Sequence, residues 1–239
     1  MAESTDARST TRARIVEVAA GLLATAGTAA VTTRAVAEQA GVQAPTIYRL
    51  FGDKDGLLDA VTEHVMATHV AAKTALEEVA VAADHDPVDE LRTSWLAQID
   101  FGLANPAVFR MLSEPGRVRQ SPAARSGQRV LESRVHRVAT TGRLRVSEAR
   151  AVGMVQAAGV GVIQVLLTTE PEHRDPGLPE SVYDAVLAQI LTDAPVHADD
   201  GPTAAAVAFR TLAPGLEALT AAERELLVEW LDRVIDGAA

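Results

Sequence analysis

Cysteine is absent from the 239 residues. Disulfides and thiolate-ligated metals are therefore excluded, and a reducing compartment fits. Aromatic residues make up only 3% of the chain, so its few rings, with its methionines, are the bulky groups able to line a cavity. Lysine is confined to Lys54 and Lys73, and every other basic side chain is arginine. The opening MAESTDARSTTRAR has no apolar stretch of the kind a secretory signal needs. Residues 151–167, AVGMVQAAGVGVIQVLL, carry no charge, but they hold two glutamines and lie between Glu148 and Glu170. They also fall short of the roughly 20 apolar residues of a membrane span. A cytoplasmic protein with no membrane segment is expected. No P-loop, G-x-S-x-G, H-E-x-x-H or Rossmann glycine motif occurs, so an enzyme is not expected. No two of the six histidines stand four residues apart, and neither a metal site nor a cofactor is expected.

What the chain does have is 48% apolar residues, enough to bury a sizeable core. Its length suits a small head on a larger body. The net charge of −10 is unevenly placed: residues 1–56 hold six basic and six acidic side chains, leaving the whole excess in residues 57–239. A neutral head can bind DNA if its cations share a face. Apolar spacing of three and four residues recurs throughout, and no strand-like alternation of useful length appears. The expected fold is all-α. Breaks are expected at 84–87, 105–106, 114–122, 141–143, 171–179 and 193–202, where Pro, Gly and Asp cluster.

The N-terminal quarter is the most informative. Thr10 or Thr11 can cap a first helix, with Ile15, Ala19, Leu22, Leu23 and Ala26 on one face and Gly27 after it. Thr32 or Thr33 opens a short second helix carrying Val36, Ala37 and Ala40 inward, and Gly41 stops it. A third begins near Ala44 with Pro45 in its first turn, where a missing N–H costs nothing, and ends about Phe51. A long helix is expected from Lys54 to about Val81. Two short helices joined by a tight turn at Gly41 make a helix-turn-helix, whose second helix fits a major groove about 12 Å wide. Ile47 and Phe51 form its expected buried face, so Gln43, Ala44, Thr46, Tyr48 and Arg49 look outward. The Gln43 amide suits an adenine edge, Ala44 and Pro45 a thymine methyl, and Thr46, Tyr48 and Lys54 phosphates. Arg34 and Arg49 can reach phosphate or guanine. Arg8, Arg12 and Arg14 can reach a minor groove or remain a solvated tail.

Residues 32–57 resemble the signature of the tetracycline-repressor-like (TetR) family. Thr32, Val36, Ala37, Ala40, Gly41, Val42, Thr46, Ile47, Tyr48, Phe51, Lys54 and Leu57 all fall in register. The resemblance implies a helix-turn-helix head over residues 1–56, with an N-terminal arm at 1–9. It also implies a helical effector-binding and dimerisation domain over 57–239. It places Thr33, Arg34, Gln43, Ala44, Pro45, Tyr48 and Lys54 at DNA-contact positions. A homodimeric regulator on a palindromic operator is expected, most simply a repressor controlled by a small, largely apolar molecule. A DNA-binding activator and a dimeric scaffold are the alternatives. Gln43 stands where the family usually has Ser or Thr, and Leu50 where it usually has His or Tyr.

In the body, Gly153, Ala157 and Gly161 stand four residues apart, a small face suited to close approach by a second subunit. A helix near 180–192 or 220–235 is the expected companion. Met66, Trp95, Phe101, Phe109, Met111 and Met154 are the candidate ligand-cavity residues, against core packing as the plainer reading. Residues 110–150 hold ten Arg against three Glu. They are expected to pair with the acidic stretch at 170–200 rather than to bind a separate anion. Thr220 followed by Glu223 is a capping-box signature for a last helix.

Overall fold

Glycine and proline mark nearly every helix end in this chain, and the fold follows that punctuation. The computed structural model describes residues 2–82, 85–192 and 202–237. Over them the chain is helical: α1 (Ala2–Ala30), α2 (Thr33–Gln39), α3 (Ala44–Phe51), α4 (Lys54–Ala82), α5 (Pro87–Ala104), α6 (Pro106–Leu112), α7 (Pro115–Gln120), α8 (Pro122–Thr140), α9 (Glu148–Thr168), α10 (Leu178–Ile190), α11 (Pro202–Leu212) and α12 (Ala221–Gly237). Among the described residues there is no strand, only one isolated antiparallel bridge between Leu144 and Leu191. The protein is an all-α molecule with an N-terminal helix-turn-helix and a further helical part.

Most expected breaks lie between helices. The 114–122 break proves to contain a helix of its own, α7. The 193–202 break lies almost wholly outside the described residues. The first helix starts at Ala2, well before Thr10 and Thr11, so the residues read as an arm form its first turns. The stretch Ala2–Arg14 has no Gly or Pro to halt it and is rich in residues that tolerate helix. Gly27 does interrupt the helix, at φ 73° and ψ −176°, a conformation that glycine adopts without steric cost.

The chain divides into two compact units, each described by itself. One comprises Met1–Ala75 and Phe101–Gly127, the other Leu76–Asp100 and Gln128–Ala239. The first is built on a core of Ile15, Ala19 and Leu23 from α1, Val36, Ala37 and Ala40, Ile47 from α3, Leu57 and Val61 from α4, and Ala107 and Val108 from α6. Deleting a fully buried side chain such as Ile47 in such a core costs about 2–5 kcal/mol. Leu22 is only partly buried and Ala26 is exposed, so the inward face of α1 is narrower than its apolar spacing implies.

The second unit centres on α9, which buries Ala151, Val152, Val155, Gly159, Val162, Ile163 and Leu166. Trp95 of α5 packs over Gly159, whose Cβ would lie 3.4 Å from the indole. The Trp95 indole N–H donates to the Pro179 carbonyl at 3.1 Å, and its ring lies 5.2 Å from that of Tyr183. The Tyr183 hydroxyl is buried without a hydrogen-bond partner, and burial pushes its pKa well above the usual phenol value. α11 and α12 pair with each other, and the expected capping box is present. The Thr220 N–H donates to Glu223 at 2.8 Å, and the Glu223 N–H to the Thr220 hydroxyl at 3.4 Å.

Candidate nucleic-acid interface

Thr32 sets the first of the two crossed helices. Its hydroxyl oxygen accepts from the Ala35 N–H at 3.1 Å and caps α2. Ala40 then closes α2 by donating to Val36 and Glu38. Gly41 follows at φ 64°, and the Val42 N–H reaches back to the Ala37 carbonyl at 2.9 Å. A left-handed glycine is what lets the chain turn within two residues here. Pro45 lies in the first turn of α3, and the Tyr48 carbonyl receives the Gly52 N–H that ends it.

Packing decides which side of α3 faces outward. Ile47 is completely buried. Phe51, one turn on, is half-buried, and the Arg12 guanidinium from α1 sits 5.1 Å from its ring centre. Gln43, Pro45, Tyr48 and Arg49 are exposed, and Ala44 and Thr46 are half-buried. Gln43 occupies the N-cap position of α3 in extended backbone, yet its side chain makes no capping bond. Its amide therefore remains available to an external partner, whereas a Ser or Thr there would turn inward to the helix amides. Tyr48 is 52% exposed, and its hydroxyl lies 3.4 Å from that of Thr33. That contact holds the ring where α2 and α3 meet.

Arg34 on α2 and Lys54 at the start of α4 are exposed as well. Asp53 caps α4 by accepting from the Gly56 N–H at 2.8 Å, so one of the amides that could help Lys54 hold a phosphate is already taken. Leu50 is half-buried and packs against the core of the unit. Its side chain serves packing. Arg12 likewise acts on Phe51 rather than as part of a solvated tail, a role invisible at a separation of 39 residues in sequence. Arg8 and Arg14 are exposed.

The six candidate cavity residues fall in both units. In the first, Met66 is half-buried beside Gly127, where an added Cβ would stand 3.2 Å from its methyl group. The Met111 sulfur accepts from the Thr62 hydroxyl at 3.2 Å. The Phe101 ring stacks on His69 at 3.9 Å, and Phe109 is half-buried. In the second, Trp95 is 3% exposed within the core, and Met154 lines a cleft at the start of α9. Trp95 and Met154 thus have different neighbours.

On α9, Gly153, Ala157 and Gly161 are all exposed, together with Val160 and Val165 at 47% and 51%. A Cβ built on Gly153 or Gly161 would meet nothing within 4 Å. On α12, Leu226, Trp230 and Val234 are exposed at four-residue spacing.

Two of the ten arginines of 110–150 pair with acids outside the expected stretch, whose residues 193–200 lie outside the described residues. Arg137 pairs with Glu90, and Arg143 with Asp86 at 2.9 Å, while buried Arg134 donates to Ser94. These partners belong to residues 86–94, not to 170–200. Helix packing brings the start of α5 beside α8, whereas charge counting along the sequence sees only which stretches are acidic.

One side-chain cluster escaped sequence reasoning. Glu63 of α4 accepts from both the Ser121 hydroxyl and the Ala123 N–H, each at 2.6 Å. Ser121 itself accepts from the Ala124 N–H at 3.0 Å. Together they cap α8. Ser121 ahead of Pro122 is a helix-start signal, but nothing in the sequence points to a carboxylate 58 residues earlier.

Comparison with known proteins points the same way. The family described as bacterial regulatory proteins, tetR family, matches residues 15–61. The HTH-type transcriptional regulator BetI of Burkholderia ambifaria is 35% identical over 89 residues, covering 37% of this chain and 44% of its own length. The chain thus spans less than half the length of that curated relative. A putative TetR-family transcriptional regulator from Vibrio parahaemolyticus superimposes with a TM-score of 0.55 at 22% identity, covering 76% of this chain and 99% of that one. A TetR/AcrR-family regulator from Thermobifida fusca gives 0.57 at 21% identity, over 74% and 96%. At these identities the two structures speak for the fold alone.

Proposed function

We propose that this chain, a TetR-family transcriptional regulator by its helix-turn-helix head, is a homodimeric repressor released from a palindromic operator by a small, largely apolar effector. The division of labour is a DNA-binding head over residues 1–56 and an effector-binding and dimerisation domain over 57–239, working in the cytoplasm without catalysis.

The observation that carries the reading is the outward face of α3. Gln43, Pro45 and Tyr48 are exposed there, with Ala44 beside them, while Ile47 anchors the opposite side. An unengaged amide beside two small apolar groups suits a base edge and a thymine methyl in a major groove. Thr33, Arg34, Thr46, Tyr48, Arg49 and Lys54 surround it as phosphate and backbone contacts that position the helix. The exposed apolar strip of α9 supports self-association. Gly153, Ala157 and Gly161 allow close backbone approach, and Val160 and Val165 supply apolar surface that solvent otherwise meets. A two-fold dimer would set two α3 helices about 34–36 Å apart, one turn of duplex. Met66, Phe101, Phe109 and Met111 in the first unit and, separately, Trp95 and Met154 in the second are the proposed candidates for effector contact. An effector changes operator affinity only by binding one arrangement of the heads better than another.

The test is a mobility shift of the full chain on the DNA upstream of its own coding region, followed by a reporter assay with that segment. Retardation that unrelated DNA does not compete away, and reporter silencing, are expected. No specific retardation, or reporter activation, overturns the repressor reading.

A further inference from the structure

We infer that the cleft at the start of α9 binds a small oxyanion, a carboxylate or phosphate group, through Arg145 and Arg150. The cleft encloses about 230 Å³ and lies wholly within the second unit. Both arginines line it, together with Ser147, Asp236 and the apolar Met154 and Ile235.

Charge is what singles this place out. Arg92, Arg137, Arg143 and Arg210 in the same unit are each matched by a carboxylate. Arg145 and Arg150 have no ion pair among the described residues, although both line one cavity. Glu148 sits between them in sequence and is the acid that could neutralise them. It is engaged elsewhere, with Thr211 at 3.3 Å, Arg210 at 3.8 Å and His136 at 3.2 Å. Asp236, the only acid among the described residues that line the cleft, also interacts with Arg210. Two guanidinium groups against one shared carboxylate leave the cleft positive. Two like charges in one cleft repel each other until an anion enters.

The chemistry of the lining fits an oxygen anion. Each guanidinium offers a planar fork matched to carboxylate or phosphate oxygens. The Ser147 oxygen accepts from the Arg150 N–H at 3.3 Å and caps α9, leaving its own O–H free to donate. Around the cleft, the positive end of a 21-residue helix adds to the field. The volume lies below the roughly 300–1,000 Å³ of pockets for drug-sized ligands, so the fit is to one anionic group of a few heavy atoms. The buried Ile235 and half-buried Met154 exclude water from one side and strengthen the charge contacts.

Anion binding at this cleft can be read directly, so its test needs no DNA. Inorganic phosphate and acetate are titrated separately into the full chain by isothermal titration calorimetry. The variants are Arg145→Gln, Arg150→Gln and Lys54→Ala. The last controls for phosphate held at the DNA-binding head. Both arginines are exposed, and unchanged thermal melting will confirm that the variants fold. Saturable binding of at least one anion is expected. It should weaken about tenfold or more in each arginine variant, the loss of one charge-assisted contact, and persist in Lys54→Ala. Phosphate alone, acetate alone or both binding this way supports the site and assigns its class. Absence of saturable binding by either anion, or binding that both arginine variants retain, overturns it.

Discussion

Replacing Glu63 by alanine should loosen the corner where α4 supports the start of α8. The wild-type carboxylate accepts two hydrogen bonds at 2.6 Å, from the Ser121 hydroxyl and the Ala123 N–H. Bonds to a charged acceptor contribute about 1.5–3 kcal/mol each. The two share one half-buried carboxylate and are not additive. The expected cost of Glu63→Ala is therefore about 2–3 kcal/mol, part of it from an Ala123 N–H left without its acceptor. Glu63→Gln keeps one oxygen but presents an NH2 group to a site that needs acceptors. Ser121 can accept from that group only in competition with the Ala124 N–H, so the expected cost is about 1 kcal/mol. Urea unfolding followed by far-UV circular dichroism measures the order alanine, glutamine, parent. Tryptophan fluorescence is the wrong probe, because Trp95 and Trp230 both belong to the other unit. Hydrogen exchange at the amides of Ala123 and Ala124 gives a local reading that should accelerate in the same order. An alanine variant within about 0.5 kcal/mol of the parent, with unaltered exchange at Ala123, would refute the capping argument.

Lys54→Ala should weaken operator binding nearly uniformly across sequences and flatten the salt dependence by about one unit per site. An unchanged slope removes Lys54 from the phosphate contacts. Gln43→Ala should leave that slope alone and relax base preference at one position by about 1–3 kcal/mol, readable by competition with single-base operator variants. The double variant Gly153→Trp, Gly161→Trp should remain folded, since neither Cβ meets anything within 4 Å. It should run as a monomer in light scattering, and an undiminished dimer excludes this face of α9. Asp86 accepts from the Val88 N–H at 2.7 Å and pairs with Arg143, which together hold its carboxyl below the ordinary value. A depressed carboxylate pKa stabilises the fold above the unfolded pKa of about 4, and that contribution disappears as pH falls through the folded value. Asp86→Asn should therefore cost stability at neutral pH. Its difference from the parent should shrink below about pH 4 in acid-unfolding curves.

The head was legible because its determinants are local. Thr32, Gly41, Pro45 and the spacing of Val36, Ala37 and Ile47 fix helix ends and inward faces through interactions within a few residues. The same holds for the box of Thr220 and Glu223 and the span of α4. The all-α class follows from that periodicity alone. α1 was misread at its start because Thr10 and Thr11 are capable caps, but capability does not end a helix that has no reason to stop.

Tertiary structure decided whatever depends on residues far apart in sequence. Leu50 packs inward and Arg12 covers Phe51 because α1 and α3 share a core. The closure of that core by Ala107 and Val108 could not be read from the first 57 residues. Arg137 of α8 and Arg143 just beyond it pair with Glu90 and Asp86, far away in sequence, since an ion pair needs a few ångströms and sequence distance says nothing of those. The cap on α8 by Glu63 and the unmatched Arg145 and Arg150 belong to the same class. A sequence fixes how each helix begins, ends and hides one face, but which charges meet and which are left alone is settled only when the helices pack.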